Sequence, residues 1–243
     1  MALSARISIL LLTILGLMLV TTATVQAQTT VQAGFGGLIA IPQNEFAREV
    51  NVGGGLGGEF LYAPGAGPFG IGLVINYLLY GSESRREPFS TTIPDVQVDV
   101  TTENQILLAH LLFRIQAKGG PIQPYVDGLA GLNYLYTQTS IKSLRWDDDE
   151  NVASSTNFDD TAFSYGFGGG VMVRVWQGET NSETGYPQKM QVMVDLRGHY
   201  MRGGEAEYLK KGSIRRVDGK VLYDIKKSTT DLFIVKIGAT VAF

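Results

Sequence analysis

Asp231-Leu-Phe-Ile-Val-Lys-Ile-Gly-Ala-Thr-Val-Ala-Phe243 ends the sequence, and the rest is read against it. Phe233, Val235, Ile237, Ala239, Val241 and Phe243 recur at every second position, while Lys236, Gly238 and Thr240 take the places between them. Successive side chains of a strand point to opposite faces, so a period of two describes a strand apolar on one face and polar on the other. Leu232 and Ile234 add apolar residues to the second face near its start. The strand runs to the last residue and stops on an aromatic. An ordinary edge strand of a soluble sheet is the competing reading, and it gives no reason for that aromatic end.

The other end of the sequence agrees. Residues 1–27 have the layout of a cleavable secretory segment: Arg6 supplies positive charge, Ile7 to Val20 form an apolar stretch, and Val25-Gln26-Ala27 offers small residues for cleavage before Gln28. An apolar stretch of 14 residues is shorter than the roughly 20 a helix needs to cross a bilayer. The expected mature domain is 28–243, a single unit of 243 − 27 = 216 residues. Without Arg6 it carries 19 basic and 23 acidic residues, a balance that gives no footing for nucleic acid. The absence of cysteine excludes disulfides, thiolate metal sites and cysteine nucleophiles. Thirty glycines and many Tyr and Phe suit an all-β chain.

Eight strands are expected, at about 30–40, 52–63, 69–80, 104–116, 123–137, 162–177, 189–202 and 230–243. Tight turns at 64–68 and 118–121, and a third at 178–188, alternate with longer polar segments at 41–51, 81–103, 138–161 and 203–229. At about 9–11 residues per membrane strand, 216 residues accommodate eight strands. Short turns on one side and long loops on the other are expected of a barrel with both termini on the short-turn side. In the fourth strand Leu107, Ala109, Leu111, Phe113 and Ile115 oppose His110, Arg114 and Gln116. In the seventh, Val192, Val194, Leu196 and Tyr200 oppose Gln191, Asp195, Arg197 and His199. The third puts Phe69, Ile71, Leu73, Ile75 and Tyr77 opposite Asn76 and glycines. The sixth puts Phe163, Tyr165, Phe167, Val171, Val173 and Val175 opposite Ser164, Met172, Arg174 and Trp176; strict alternation counts Trp176 inside, and a place below the membrane, free of the period, is its alternative. In a bilayer only a closed barrel satisfies every strand's backbone. The fold class is therefore read as all-β, an eight-stranded antiparallel transmembrane β-barrel. A soluble sandwich or lipocalin-like barrel, its apolar face turned inward, is the alternative fold. Tyr62, Phe69, Tyr77, Tyr80, Tyr125, Tyr134, Tyr136, Phe163, Trp176, Tyr200 and Phe243 read as two interfacial aromatic girdles.

The apolar leader, the strands and the terminal Lys236, Gly238, Val241 and Phe243 together resemble small bacterial outer-membrane barrels of the OmpA/OmpX/OmpW type. Those four terminal residues are similar to the signal that the barrel assembly machinery reads in such proteins. Pro124-Tyr-Val-Asp-Gly-Leu-Ala-Gly-Leu-Asn133 also resembles a strand common in outer-membrane β-barrel domain proteins. The resemblance implies a location in the outer membrane with both termini periplasmic, and outer-membrane lipid or lipopolysaccharide as surroundings. It does not imply a substrate.

The interior of an eight-stranded barrel is filled by its own side chains or one small ligand. The alternation places Glu59, Asp127 and Asp195 inside with Arg114, Arg174, Arg197 and Lys236, joined by His110 and His199. Charges so confined must pair, because an isolated buried charge is costly. Arg114 and Asp127 flank the 118–121 turn at similar distances and form an expected cross-strand pair; Glu59 or Asp195 is the expected partner of Lys236. A structural or surface-interaction barrel with a mostly closed polar lumen is the first functional reading. A narrow passive channel for small or hydrophobic solutes is the second. An outer-membrane lipid-modifying enzyme or protease is remote: His199 and Asp195 share a face but are not a direct pair, His110 lies at mid-barrel, and no catalytic, metal or cofactor site is expected. Asp147-Asp148-Asp149-Glu150 is read as a solvated loop. Lys210, Lys211, Arg215 and Arg216, with Lys220, Lys226 and Lys227, form a basic loop that either is merely solvated or meets lipopolysaccharide phosphates, and the long loops are where surface partners would bind. Asp218-Gly219 between β-prone runs predicts a hairpin there.

Overall fold

A computed structural model describes residues 30–65, 67–88, 97–143, 151–181, 187–217 and 220–243. Residues 1–27, read above as a cleavable secretory segment, the acidic run at 147–150 and Asp218-Gly219 lie outside the described residues.

Eight long strands close into one ring: β1 (Thr30–Pro42), β2 (Gly53–Ala63), β3 (Phe69–Pro88), β4 (Gln97–Gln116), β5 (Ile122–Ser143), β6 (Asn151–Asn181), β7 (Pro187–Gly203) and, after four short strands, β12 (Leu232–Ala242). Each pairs antiparallel with its sequence neighbour, and β12 closes the ring against β1, with Leu38 opposite Lys236 and Gln32 opposite Ala242. Phe243 finishes the seam by exchanging backbone bonds with Val31 (2.9 and 3.2 Å). The eight-stranded expectation is met, and closure leaves no edge strand in the ring.

The outside of the ring is apolar. Phe35, Phe60, Leu73, Phe113, Phe167 (70% exposed) and Ile237 all point away from the lumen. The alternation read in β4, β7 and β12 is reproduced residue for residue. In β4 Leu107, Ala109, Leu111, Phe113 and Ile115 are exposed while Ile106, Leu108, His110, Leu112, Arg114 and Gln116 are buried.

Three expectations need correction. The segments 81–103 and 138–161 are not loops throughout: β3 to β6 continue beyond the ring as a four-stranded sheet, pairing Pro88 with Gln97, Val98 with Ser143 and Ile141 with Ala153. Above the apolar belt the outer face no longer needs hydrophobic residues, so the period-two signal weakens while Thr, Val and Ile still favour the ladder. Trp176 does not face inward. The register slips between Arg174 and Trp176, one extra residue resets the alternation, and Trp176 lies opposite Val192 on the outer face. Tyr80 and Tyr125 do not belong to the girdles, since both are buried inside.

The segment between β7 and β12 builds a cap. β8 (Glu205–Tyr208) pairs with β11 (Lys226–Thr229), and β9 (Ile214–Val217) pairs with β10 (Lys220–Tyr223) as the hairpin expected around 218–219. A single helical turn, α1 (Phe46–Glu49), follows β1.

Candidate functional site: the barrel lumen and its cap

Strand β4 serves as a ruler along the lumen, because Gln116, Arg114, Leu112, His110, Leu108 and Ile106 all point inward. At the terminal end Gln116 accepts from Gln32 (3.2 Å) and donates to Gln123 (2.8 Å). Met172, Met193, Tyr125 and Ala242 pack at this level.

The charges come next and form one connected network. Arg114 and Asp127 stand opposite each other in the β4–β5 ladder. Arg114 Nε and Nη2 donate to Asp127 Oδ1 and Oδ2 at 2.7 and 2.9 Å. Arg197 donates to both oxygens of Glu59 and to Asp195. Glu59 also faces Arg114 Nη1 (3.5 Å) and Lys236 Nζ (3.9 Å). Tyr125 donates its hydroxyl to Asp195 Oδ1 at 2.6 Å, and its ring lies 3.9 Å beneath the Arg114 guanidinium. His199 Nε2 donates to Asp127 Oδ2 at 3.0 Å. Three carboxylates (Glu59, Asp127, Asp195) thus face three cations (Arg114, Arg197, Lys236), a balance that full burial demands. Arg174 does not join them: it is only half-buried, and no described carboxylate pairs with it. It stands opposite Met193, just before the bulge.

His110 lies farther along. Its Nε2 donates to Ser164 Oγ (2.5 Å), Ser164 donates to Asn133 Oδ1 (2.7 Å), and Asn133 Nδ2 donates to Thr230 Oγ1 (3.3 Å). The serine hydroxyl is fully buried and its proton is committed to an amide, so this row is a hydrogen-bond chain between strands.

Above it the lumen turns apolar. Leu78, Ile106, Leu108, Leu135, Met201 and Leu232 meet Phe46, Tyr80 and Tyr208 in one buried cluster. Phe46 packs edge-on against Tyr208 (5.2 Å between centroids) and beside Tyr80 (6.3 Å). Tyr80 donates its hydroxyl to the Leu209 carbonyl (3.0 Å). Asn44, in the left-handed region at φ 55, reaches Asp231 Oδ2 at 2.6 Å. Asp231 Oδ1 in turn accepts from the Gly203 amide at 3.0 Å. At the cap's surface Lys210 Nζ donates to Glu49 Oε2 at 2.7 Å. That bond holds the Glu49 carboxyl below its ordinary value and raises Lys210.

The other residues of the basic loop are dispersed. Lys226 pairs with Asp224 (3.1 Å), Lys227 pairs with Glu205 (3.3 Å), and Lys211 is exposed. Arg215 and Arg216 belong to β9, and their side chains lie outside the described residues. Of the four terminal residues singled out from the sequence, Lys236 points into the lumen, Gly238 sits against the Phe35 carbonyl, Val241 is half-buried and Phe243 is exposed. Sequence reading missed Tyr125 and the cap aromatics. Tyr125 shares its parity with Gln123 and Asp127 on β5 and could have been placed from it; Phe46 sits in a single helical turn, and Tyr208 ends an alternating run of only four residues, Glu205–Tyr208.

No family model matches the chain, and no curated protein matches it. Among solved structures it is similar to a major outer membrane protein from Thermus thermophilus (TM-score 0.40, 11% identity, 88% of this chain and 99% of that one). It is also similar to Neisserial surface protein A (0.36, 12%, 88% and 95%). A third is Ail of Yersinia pestis, solved with the heparin analogue sucrose octasulfate (0.34, 12%, 90% and 100%). At these scores the likeness adds nothing to what the ring itself states. With an apolar exterior, a polar charged interior and no open edge, the chain is a small eight-stranded membrane β-barrel.

Proposed function

We propose that this protein is an outer-membrane barrel with a closed lumen, which anchors a sheet and a cap of loops on the outer surface and conducts no solute. The observation that carries this reading is the lumen's double seal: a charge-balanced network on one level and the Phe46–Tyr80–Tyr208 apolar plug on another. Thr30 at the start of β1 and Phe243 fall at the short-turn end, which in this reading is periplasmic, and the protruding β3–β6 sheet is extracellular. The terminal Lys236, Gly238, Val241 and Phe243 would serve as the signal read by the assembly machinery. Lipopolysaccharide is the neighbour at the outer rim. Lys210 is tied to Glu49 and Lys211 is exposed, so Lys211 is the described lysine of this loop that would meet its phosphates. The sealed Ser164 hydroxyl and the absence of an acid behind His110 among the described residues favour a non-enzyme.

The test is refolding into liposomes. A folded barrel migrates differently on gels before and after heating, and the liposomes should resist swelling in small sugars. Solubility without detergent and no heat-dependent shift would defeat the membrane assignment; rapid swelling would defeat the closed lumen and favour the solute channel.

A further inference from the structure

The outer wall carries a groove that neither the lumen nor the cap explains. Its volume is about 510 Å³, and Phe69, Ile71, Phe113, Ile115, Val126 and Gly128 line it, with Pro64 at the turn end. The volume lies within the roughly 300–1,000 Å³ of small-ligand sites. Arg114 and Asp127 also border it, but their side chains are fully buried and paired inside, so only their backbone forms the floor.

Gly128 makes the groove. It stands directly opposite Phe113 in the ladder. Most strand glycines here are forced by packing: a Cβ on Gly131, for example, would come 2.1 Å from the Ala109 carbonyl oxygen. A Cβ on Gly128 would meet nothing within 4 Å, and its φ is not positive. Neither backbone nor packing demands glycine there. Its effect is to leave an open trough between Phe113 and Val126.

We infer that this groove seats one hydrocarbon chain of a membrane phospholipid. The inference rests on the membrane reading above. The groove is continuous with the outward apolar belt, and every side chain that borders it from outside is apolar. Its floor strands β3, β4 and β5 already bond one another along their length, so a peptide backbone would find no partner. A flexible hydrocarbon chain needs none.

Native mass spectrometry of the protein released from phosphatidylcholine nanodiscs tests this. The wild type should retain a one-lipid adduct that Gly128→Phe and the smaller Gly128→Val both lose. Gly37→Phe is the control: Gly37 is exposed on the outer face of β1, its Cβ also meets nothing within 4 Å, and the adduct should persist. Heat-dependent gel migration verifies that each variant is folded. An adduct equally strong in both Gly128 variants, equally lost in Gly37→Phe, or replaced by a dimer of this chain would overturn the inference. Failure to enter nanodiscs would bring down the membrane reading as well; entry without an adduct would bring down the groove alone.

Discussion

Glu59 is the residue on which the lumen turns. Its carboxylate meets Arg197, Arg114 and Lys236 at once, and all four side chains are buried, so removing it strands positive charge away from bulk solvent. Breaking a buried pair costs about 3–5 kcal/mol, because the remaining charge is left unpaired. Glu59→Gln should therefore lower the unfolding free energy by about that much, read from urea titrations in detergent micelles. Adding Lys236→Met restores the balance to two carboxylates and two cations, and the double variant should recover a substantial part of the loss. A double variant no more stable than the single one would show that charge balance does not organise the interior. The Arg114–Asp127 pair was legible from sequence, because two inward residues flanking a tight turn stand opposite each other. The His199–Asp127 and Arg197–Glu59 contacts were not: they cross the lumen between strands that are not neighbours, and their meeting depends on strand stagger and barrel closure, which a sequence does not display.

At the scale of elements, the cap separates from the ring. Its helical turn is one turn long and carries no strength of its own, so it stays in place through Phe46 and the Glu49–Lys210 bond. Phe46→Ala removes the ring between Tyr80 and Tyr208. Limited proteolysis should then cut within 203–229 while heat-dependent migration of the barrel is unchanged; an uncut loop would place the cap's stability elsewhere. Acid should act on the same contact. Glu49 is held below its ordinary 4.5, so its stabilisation is complete above that value and is lost as pH falls through the lower folded value. Lys210 is raised above 10.5, so its share is complete below that value and fades only as pH rises past it. Hydrogen exchange at Tyr208 and Leu209, corrected for intrinsic rates, should speed up on acidification below 4.5 in the wild type. In Glu49→Gln the step should be missing. The ring strands were legible because one face meets lipid and the other the lumen, which forces alternation. In the cap and the protruding sheet the alternation is confined to short runs such as Val98-Asp99-Val100 and Glu205–Tyr208, too brief to mark a strand, and the bulge before Trp176 carries no sequence sign that alternation alone can detect.

For the molecule as a whole, an inside-out distribution of side chains ties the fold to a membrane: the apolar belt needs lipid, and the closed lumen proposed above would pass no solute. Electrical recording across a planar bilayer tests the proposed closure most directly, using protein whose folding is established by its heat-dependent migration and whose insertion is established by its flotation with fused proteoliposomes. The wild type should give no discrete current steps at either polarity. Regular single-channel steps, altered in size by Glu59→Gln or Phe46→Ala, would contradict the closed lumen and establish a conducting path through the charge network and plug.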